Sequence, residues 1–283
     1  MLSALLLLPT ANQVELTRRR ILLENGREAL WRPRILTFPE LASQILDSAG
    51  ISSPQLSTVG ERSLMRLVLR QLERELSSFE RVSHFPGFVE ELCDFIGELK
   101  RAAVEPPEFL EKLRAAEMLD GRGRELHRIY ETYQESLHRL NVFDVEGRFW
   151  TAREILYTRP DALSWPDHIL VDGFENFTTT QLEMLAAFAR RGGELVVTVT
   201  CDLDDSRRDF FTTTKRTVDA LKERFPEAEL ITQSGVTISG PAGHLSRFLF
   251  HPSPEEAEPG NAISIIEAPG RRREVRTRLM CPR

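Results

Sequence analysis

The sequence predicts an α/β protein in which a parallel sheet is interrupted by an all-helical insertion. Three observations support this class. Short apolar strands alternate with helical patterns at the start of the 283-residue chain, strand signals then vanish, and a strand–helix–strand unit follows over residues 169–200. Because two parallel strands need a long crossover connection, that unit implies a parallel sheet.

The first 57 residues are predicted to have a βαβα pattern. An apolar run over 4–9 ends at a proline, and Thr10 or Asn12 can cap the helix expected over 13–25. A second strand is expected over 34–38. The helix expected over 40–49 follows Pro39 and ends at a glycine. This segment forms the first part of the sheet domain.

Residues 58–160 are predicted to be the helical insertion. Apolar residues recur there at helical spacing, and a pair of prolines begins one further helix. The expected helices lie around residues 64–76, 88–99, from 106 onward, 126–137 and 149–156.

The βα pattern resumes in residues 161–250, the second part of the sheet domain. The strand Ile169–Val171 ends at an acidic residue, Asp172, and the chain turns at Gly173. The elements expected next are a helix over 181–189, a strand of buried type over 194–200, a helix over 213–225 and a strand over 229–232. Residues 251–283 contain a Pro-rich acidic linker (252–260), then an expected strand (262–268) and helix (271–280) that begin another domain.

Composition and charge exclude several classes of protein. The net charge is −6 and the pI about 5.7, so any DNA contact must be a local groove. Cys93, Cys201 and Cys281 lie far apart with no CxxC or His at metal spacing, which predicts reduced thiols in a cytoplasmic protein. The apolar N-terminal run has no basic region before it and is too short to span a membrane, so no membrane association is expected.

The segment HILVDGFENFTTT, residues 168–180, resembles the Walker B region of UvrD-like superfamily-1 helicases. There the strand ends in Asp-Glu. Here Asp172 keeps the first acid, while Gly173 replaces the glutamate that would polarise the attacking water. VDGF followed by NFT and QLE resembles the AddB/RexB-type subunit of bacterial helicase–nucleases, whose helicase half is degenerate. Four further segments resemble that family in the same order: LLLLPTANQVELTRRRIL, RPRILTFPELASQIL, GFVEELCDFIGELKRAAVEPPEFLEKL and NAISIIEAPGRRREVRTRL.

This resemblance implies a RecA-like (P-loop NTPase-like) fold for residues 1–57 and 161–250, interrupted by the helical insertion at 58–160. It implies that 251–283 hold a linker and the truncated start of a second RecA-like domain. The implied function is that of the non-catalytic, helicase-like N-terminal portion of an ATP-dependent helicase/nuclease subunit. Such a chain would bind single-stranded DNA in double-strand-break repair and recombination. It would also dock on a UvrD-like motor–nuclease partner of the AddA type.

The resemblance also implies which side chains face single-stranded DNA, because it assigns the DNA track to the loops after the strands. Polar groups there would hold phosphates and aromatic rings would stack on bases. The candidates are Thr10, Asn12, Gln13, Thr37, Phe38, Phe174 and Phe177. The alternatives are that the polar residues only cap helices and that the rings belong to the core. Asp172 is either a Mg²⁺ ligand or a cap of the turn after it.

Two absences limit the predicted chemistry. The chain contains no Gly-rich loop ending in Gly-Lys-Ser/Thr, so we expect no catalytic residue, no cofactor and no metal. At positions where the family can read a regulatory DNA signal the chain has Glu40 and Ser43, and an acid beside a phosphate backbone is unfavourable. Two alternatives stay open: an ATP-binding helicase domain whose P-loop lies upstream of a mis-set start, and a scaffold or gene fragment without DNA affinity.

Overall fold

The computed structural model describes residues 4–24, 34–52, 54–159, 166–201, 207–233, 239–256, 267, 269–270 and 273. Four strands and ten helices lie in these ranges. The described residues fall into two compact units. The first contains those up to residue 200 together with 217–226, and the second contains 201–216 together with those from 227 onward.

A four-stranded parallel sheet lies in the first unit. Its strands are β1 (Ala4–Leu7), β2 (Ile35–Leu36), β3 (His168–Val171) and β4 (Glu194–Val197), in the order β2-β1-β3-β4. Leu7 pairs with Leu36 on one side and with Val171 on the other, and Val171 pairs with Val197. The prediction of an α/β protein with a parallel sheet is therefore confirmed.

Helices occupy most of the remaining described chain. They are α1 (Ala11–Glu24), α2 (Phe38–Ser48), α3 (Thr58–Gln71), α4 (Pro86–Arg101), α5 (Pro106–Ala115), α6 (Gly121–Leu140), α7 (Val145–Thr158), α8 (Thr179–Ala189), α9 (Thr212–Arg224) and α10 (Gly240–Phe248). Five of them, α3 to α7, follow one another between β2 and β3. Polar caps begin several: Ser57, Asp120 and Asp144 each accept a hydrogen bond from the first turn of the helix that follows.

In the described part of the chain, no helix is both long enough and apolar enough to cross a membrane.

One face of the sheet carries the first hydrophobic core. Alternate residues of a strand point to the same face, so Leu5 and Leu7 of β1 lie beside Ile169 and Val171 of β3. Helices α2, α7 and α8 pack over this face, with Phe38 and Phe188 among the fully buried side chains. This packing holds the carboxyl ends of the strands in fixed positions.

Helices α3 to α6 enclose a second core of their own. Its members include Met65, Ile129 and Tyr130, which are all fully buried. The Tyr130 hydroxyl donates a 2.9 Å hydrogen bond to the Val104 carbonyl, which satisfies the polar end of this buried ring.

Helix α7 joins the two cores through a buried ion pair. The Lys100 ammonium, on α4, lies 2.7 Å from both carboxylate oxygens of Asp144, the N-cap of α7. It also donates to the Gln134 side-chain oxygen at 3.1 Å. Trp150 Nε1 donates to the Lys100 carbonyl at 2.8 Å. These contacts tie the start of α7 to the helices on either side of it.

The structure corrects three expectations about single elements. Residues 229–232 do not form a strand: Leu230 and Ile231 are 55% and 72% exposed, so their apolar side chains gain no burial that would favour a sheet. Strand β4 is not of buried type, because it lies at one edge of the four described strands with Glu194 and Val196 exposed. Helix α10 was not expected, since its Gly- and Pro-containing start masks the helical pattern.

Some expected elements lie outside the described residues. These are the strand over 262–268, the helix over 271–280 and the end of the linker, of which only a few scattered residues are described.

Candidate nucleic-acid interface

The carboxyl ends of the four parallel strands place their following residues along one edge of the sheet. The Asp172 amide donates to the Leu7 carbonyl at 3.0 Å, and the Thr198 amide donates to the Val171 carbonyl at 2.9 Å. These bonds continue the pairing past the strand ends. The residues after β1, β3 and β4 are therefore held side by side.

Thr10 and Gln13 cap helix α1 reciprocally. The Thr10 amide and hydroxyl both donate to the Gln13 side-chain oxygen, at 3.1 and 2.8 Å, and the Gln13 amide donates to the Thr10 hydroxyl at 3.2 Å. Thr10, Asn12 and Gln13 are all exposed. The turn thus presents the Asn12 side chain and the Gln13 amide nitrogen to solvent at a helix N-terminus.

Gly173 has a structural reason to be glycine. Its φ is +81°, a left-handed conformation that residues with a side chain rarely adopt. A Cβ there would lie 3.5 Å from both the Gln13 amide nitrogen and Pro9. The turn after β3 therefore runs close to the start of α1, and this position carries no side chain that could act as a base.

Asp172 is engaged by a residue that the sequence analysis did not select. The Thr198 hydroxyl, directly after β4, donates a hydrogen bond to an Asp172 carboxylate oxygen. A usable signal existed, because neighbouring parallel strands end at the same edge and Thr198 follows the apolar run of β4. No cluster of three or more His, Cys, Asp or Glu suited to a metal ion occurs among the described residues.

Three phenylalanines meet at this edge. The rings of Phe174 and Phe177 stack at 5.1 Å between centroids with 25° between their planes. The Phe38 ring meets them edge-on, at 5.4 and 6.4 Å. Phe174 and Phe177 are half-buried, whereas Phe38 is 1% exposed. The expectation that Phe38 stacks on a base is therefore corrected: its ring supports the other two from below.

Thr37 is likewise committed to the protein interior. It is 7% exposed and caps α2, whose first residue is Phe38. The Thr37 amide donates to the Glu40 carboxylate at 2.7 Å, and its hydroxyl accepts from the Glu40 amide at 3.4 Å. The expected phosphate contact of Thr37 is corrected because its polar groups are already satisfied. The same capping box ends the strand earlier than expected.

The loop carrying the aromatic pair is fixed at both ends. Thr178 forms a capping box with Gln181 at the start of α8, with bonds of 2.9 and 3.2 Å. The Thr217 hydroxyl donates to the Glu175 carbonyl at 2.7 Å. The rings of Phe174 and Phe177 are thus held by the protein rather than by a ligand.

Comparison with known proteins adds an independent observation. The family model described as "ADDB, N-terminal" matches residues 3–244, most of the chain. The chain belongs to the AddB N-terminal family. The resemblance to AddB-type subunits that VDGF and the ordered segments indicated is confirmed.

Several relatives share a single name, that of the B subunit of an ATP-dependent helicase/deoxyribonuclease. The chain is similar to those of Thermoanaerobacter sp. (strain X514), Pelotomaculum thermopropionicum and Symbiobacterium thermophilum, at 26%, 29% and 27% identity. These similarities cover 76%, 81% and 95% of this chain. They cover only 19%, 21% and 25% of the relatives, so the chain spans about a fifth to a quarter of their length.

In this AddB N-terminal chain, the seven candidate residues gather at the carboxyl edge of the sheet but divide into two groups. Thr37 and Phe38 are buried and serve the fold. The exposed or half-buried candidates that remain available to a ligand are Thr10, Asn12, Gln13, Phe174 and Phe177.

Proposed function

We propose that this chain is a non-catalytic, helicase-like portion of an AddB-type subunit that binds single-stranded DNA across the carboxyl edge of its sheet. The observation that carries the proposal is the stacked pair Phe174–Phe177, half-buried, on the same edge as the exposed first turn of α1. Rings of this kind accept unpaired bases, and a helix N-terminus accepts phosphates.

The division of labour follows from chemistry. The backbone amides of the first turn of α1, with Asn12 and the Gln13 amide nitrogen, are donors suited to phosphate oxygens. Phe174 and Phe177 supply flat apolar faces, and stacking contributes about 1–3 kcal/mol per base. Thr10 and Phe38 act behind them: Thr10 keeps the Gln13 side chain in place, and Phe38 supports the rings.

The absence of catalysis is part of the proposal. Gly173 has no side chain to polarise water, and its left-handed backbone disfavours any residue that does. No Gly-Lys-Ser/Thr loop occurs in the sequence to hold a triphosphate. We assign Asp172, bonded to Thr198, to the turn rather than to a metal.

The finer architecture is also proposed. Five consecutive helices, four of them around a core of their own, support a helical insertion at 58–160 in a RecA-like domain formed by 1–57 and 161–250. Residues 251–283 would begin a second such domain. The relatives' shared name, which places them in a helicase/deoxyribonuclease of several subunits, supports an AddA-type motor partner and a cytoplasmic role in double-strand-break repair and recombination.

Fluorescence anisotropy of a labelled oligothymidine against the 283-residue chain tests the DNA contact. Phe174→Ala and Phe177→Ala are each expected to weaken binding by about five- to 150-fold, the equivalent of 1–3 kcal/mol. The matched control is Phe85→Ala, which removes a ring that is 54% exposed before α4, away from the sheet edge. Affinity should fall with salt, because phosphate contacts release counterions.

The alternatives give different results. Wild-type chain that shows no binding even at low salt would refute the proposal and favour a scaffold without DNA affinity. Saturable binding of a fluorescent ATP analogue would instead favour the nucleotide-binding alternative. The repair partnership is tested separately, by co-purification of the full-length protein with a UvrD-like motor–nuclease.

A further inference from the structure

We propose a second contact for single-stranded DNA, formed by the stacked rings of Phe210 and Phe250 in the second compact unit. These two residues are called the Phe210–Phe250 platform below. The inference takes its ligand class from the proposed function, but it concerns different residues in a different unit. The two sites therefore succeed or fail separately.

The platform is an exposed stack of two aromatic rings. Their centroids lie 5.2 Å apart with 19° between the planes. Phe210 and Phe250 are 58% and 65% exposed, among the most exposed large apolar residues described in the chain. Phe211 meets Phe210 edge-on at 4.9 Å, so it braces one ring without covering the stack. A further flat ring can continue such a stack on an open face.

The backbone holds Phe250 in an unusual conformation. Its φ is +62°, which is uncommon for a residue with a bulky side chain and costs free energy. Hydrogen bonds on both sides fix the chain there: the Leu249 amide donates to the Leu245 carbonyl at 2.8 Å, and the His251 amide to the Phe248 carbonyl at 3.0 Å. The Phe250 ring is thus held outward, in an arrangement whose strain gives no burial in return.

The turn that carries Phe210 is tied to the same helix. Arg207 donates to the Ser246 carbonyl of α10 at 3.0 Å, and its guanidinium lies 5.3 Å from the Phe211 ring centroid. The Phe210 amide donates to the Arg207 carbonyl at 3.1 Å. Both rings of the platform therefore stand on braced backbone, which lowers the entropy lost when a ligand binds.

The surroundings of the platform are basic although the chain is acidic. The segments 207–216 and 240–251 contain five Arg or Lys residues and a single acid, whereas the whole chain has a net charge of −6. Arg208 precedes Phe210 by two residues, Arg247 precedes Phe250 by three, and both lie in these segments. Cations beside open aromatic faces match a strand that has phosphates and unpaired bases. Duplex DNA matches less well, because its bases are already stacked.

The test measures oligothymidine binding by the 283-residue chain with substitutions at Phe250. Phe250→Ala is expected to weaken binding about five- to 150-fold, as for the loss of one stacked base. Phe250→Leu keeps the apolar volume but not the aromatic face, and should weaken binding as much. Phe250→Trp should preserve it. A strand of abasic sugar-phosphate should not distinguish these variants, because it has no base to stack.

Two controls separate this site from the sheet edge. Leu67→Ala removes a side chain that is 58% exposed on α3 and should leave binding unchanged. Arg208→Gln with Arg247→Gln should lower the slope of log affinity against log salt by about 1.4, if each cation neutralises one phosphate of a single strand. Thermal unfolding of every variant checks that these surface changes leave the fold intact.

Each remaining result contradicts the inference in its own way. If Phe174→Ala weakens binding and no Phe250 variant does, the proposed function stands and the platform is not a DNA contact. It would then be a docking surface for protein. If Phe250→Leu binds like wild type while Phe250→Ala does not, apolar contact rather than stacking is responsible. If wild type binds no DNA, the proposed function fails as well.

Discussion

Removing the Lys100 ammonium should destabilise the first compact unit by about 3–5 kcal/mol, the usual result of breaking a buried ion pair from one side. Lys100 has no exposed surface, and the Asp144 side chain is 8% exposed. In Lys100→Met the packing against Trp150 is largely kept, since the ammonium lies 5.1 Å from that ring centroid. What remains is a carboxylate that keeps the Gly147 amide as a donor but loses its cation.

A double variant shows whether the buried charge is responsible. Asparagine caps helices as well as aspartate does, so Asp144→Asn keeps the cap of α7 and removes the negative charge. In Lys100→Met/Asp144→Asn no unpaired charge is left. Its destabilisation should fall clearly below the sum of the two single variants, because the residues act as one unit.

Urea unfolding followed by circular dichroism measures these free energies of unfolding. The control is Arg114→Met, which breaks an exposed pair with Glu111 and should cost less than about 1 kcal/mol. The reasoning is refuted if Lys100→Met loses no more than this control. It is also refuted if the double variant equals the sum of the single ones.

Three further predictions concern single side chains. Burial raises the pKa of Glu125, but hydrogen bonds from Ser78 and its neighbours outweigh this and hold the pKa below its ordinary value. Glu125→Gln should therefore lose about 1–3 kcal/mol at neutral pH, and urea titrations should show the difference vanishing as pH falls below about 4. Burial raises the pKa of the Cys93 thiol to about 11, so in a chain with the other two cysteines replaced by serine it should react slowly with an aromatic disulfide reagent at pH 8. Gly193→Ala should lower stability by about 1–3 kcal/mol in thermal unfolding, since its Cβ would meet the buried Phe188 ring at 2.2 Å.

Each of these has an outcome that contradicts it. A Glu125→Gln deficit that persists unchanged into acid would show that the lost charge is not its cause. A Cys93 that reacts as fast in the folded chain as in guanidinium would show that it is not protected by burial. For Gly193, the control is Gly87→Ala in α4, where a Cβ meets nothing within 4 Å; equal losses in the two variants would rule out the clash.

The predicted elements succeeded where one local pattern dominates. The apolar runs of β1 and β3 are short and end in Pro9 or Asp172, so period and punctuation agree. The amphipathic helices α3, α4 and α6 were predicted for the same reason. The residues 229–232 failed because an apolar run forms a strand only if a partner strand lies beside it, and local pattern does not report this.

The candidate site was predicted less completely than the sheet. The resemblance selected loops that the strand order then brings together at one edge. It did not distinguish Phe38, which is buried, from Phe174 and Phe177, which are half-buried. Apolar rings look alike in sequence, and only the packing of α2 against the sheet decides which of them faces solvent.

The sequence by itself determined the class of fold, the family and the loss of the glutamate at position 173, because each depends on residue type and order along the chain. Tertiary structure alone decided which groups meet. Lys100 and Asp144 are 44 residues apart, and Asp172 and Thr198 are 26 apart. The Phe210–Phe250 stack likewise joins two segments of different local structure. Such pairs leave no periodic signal, since their energy comes from burial and geometry that exist only once the helices and strands have packed.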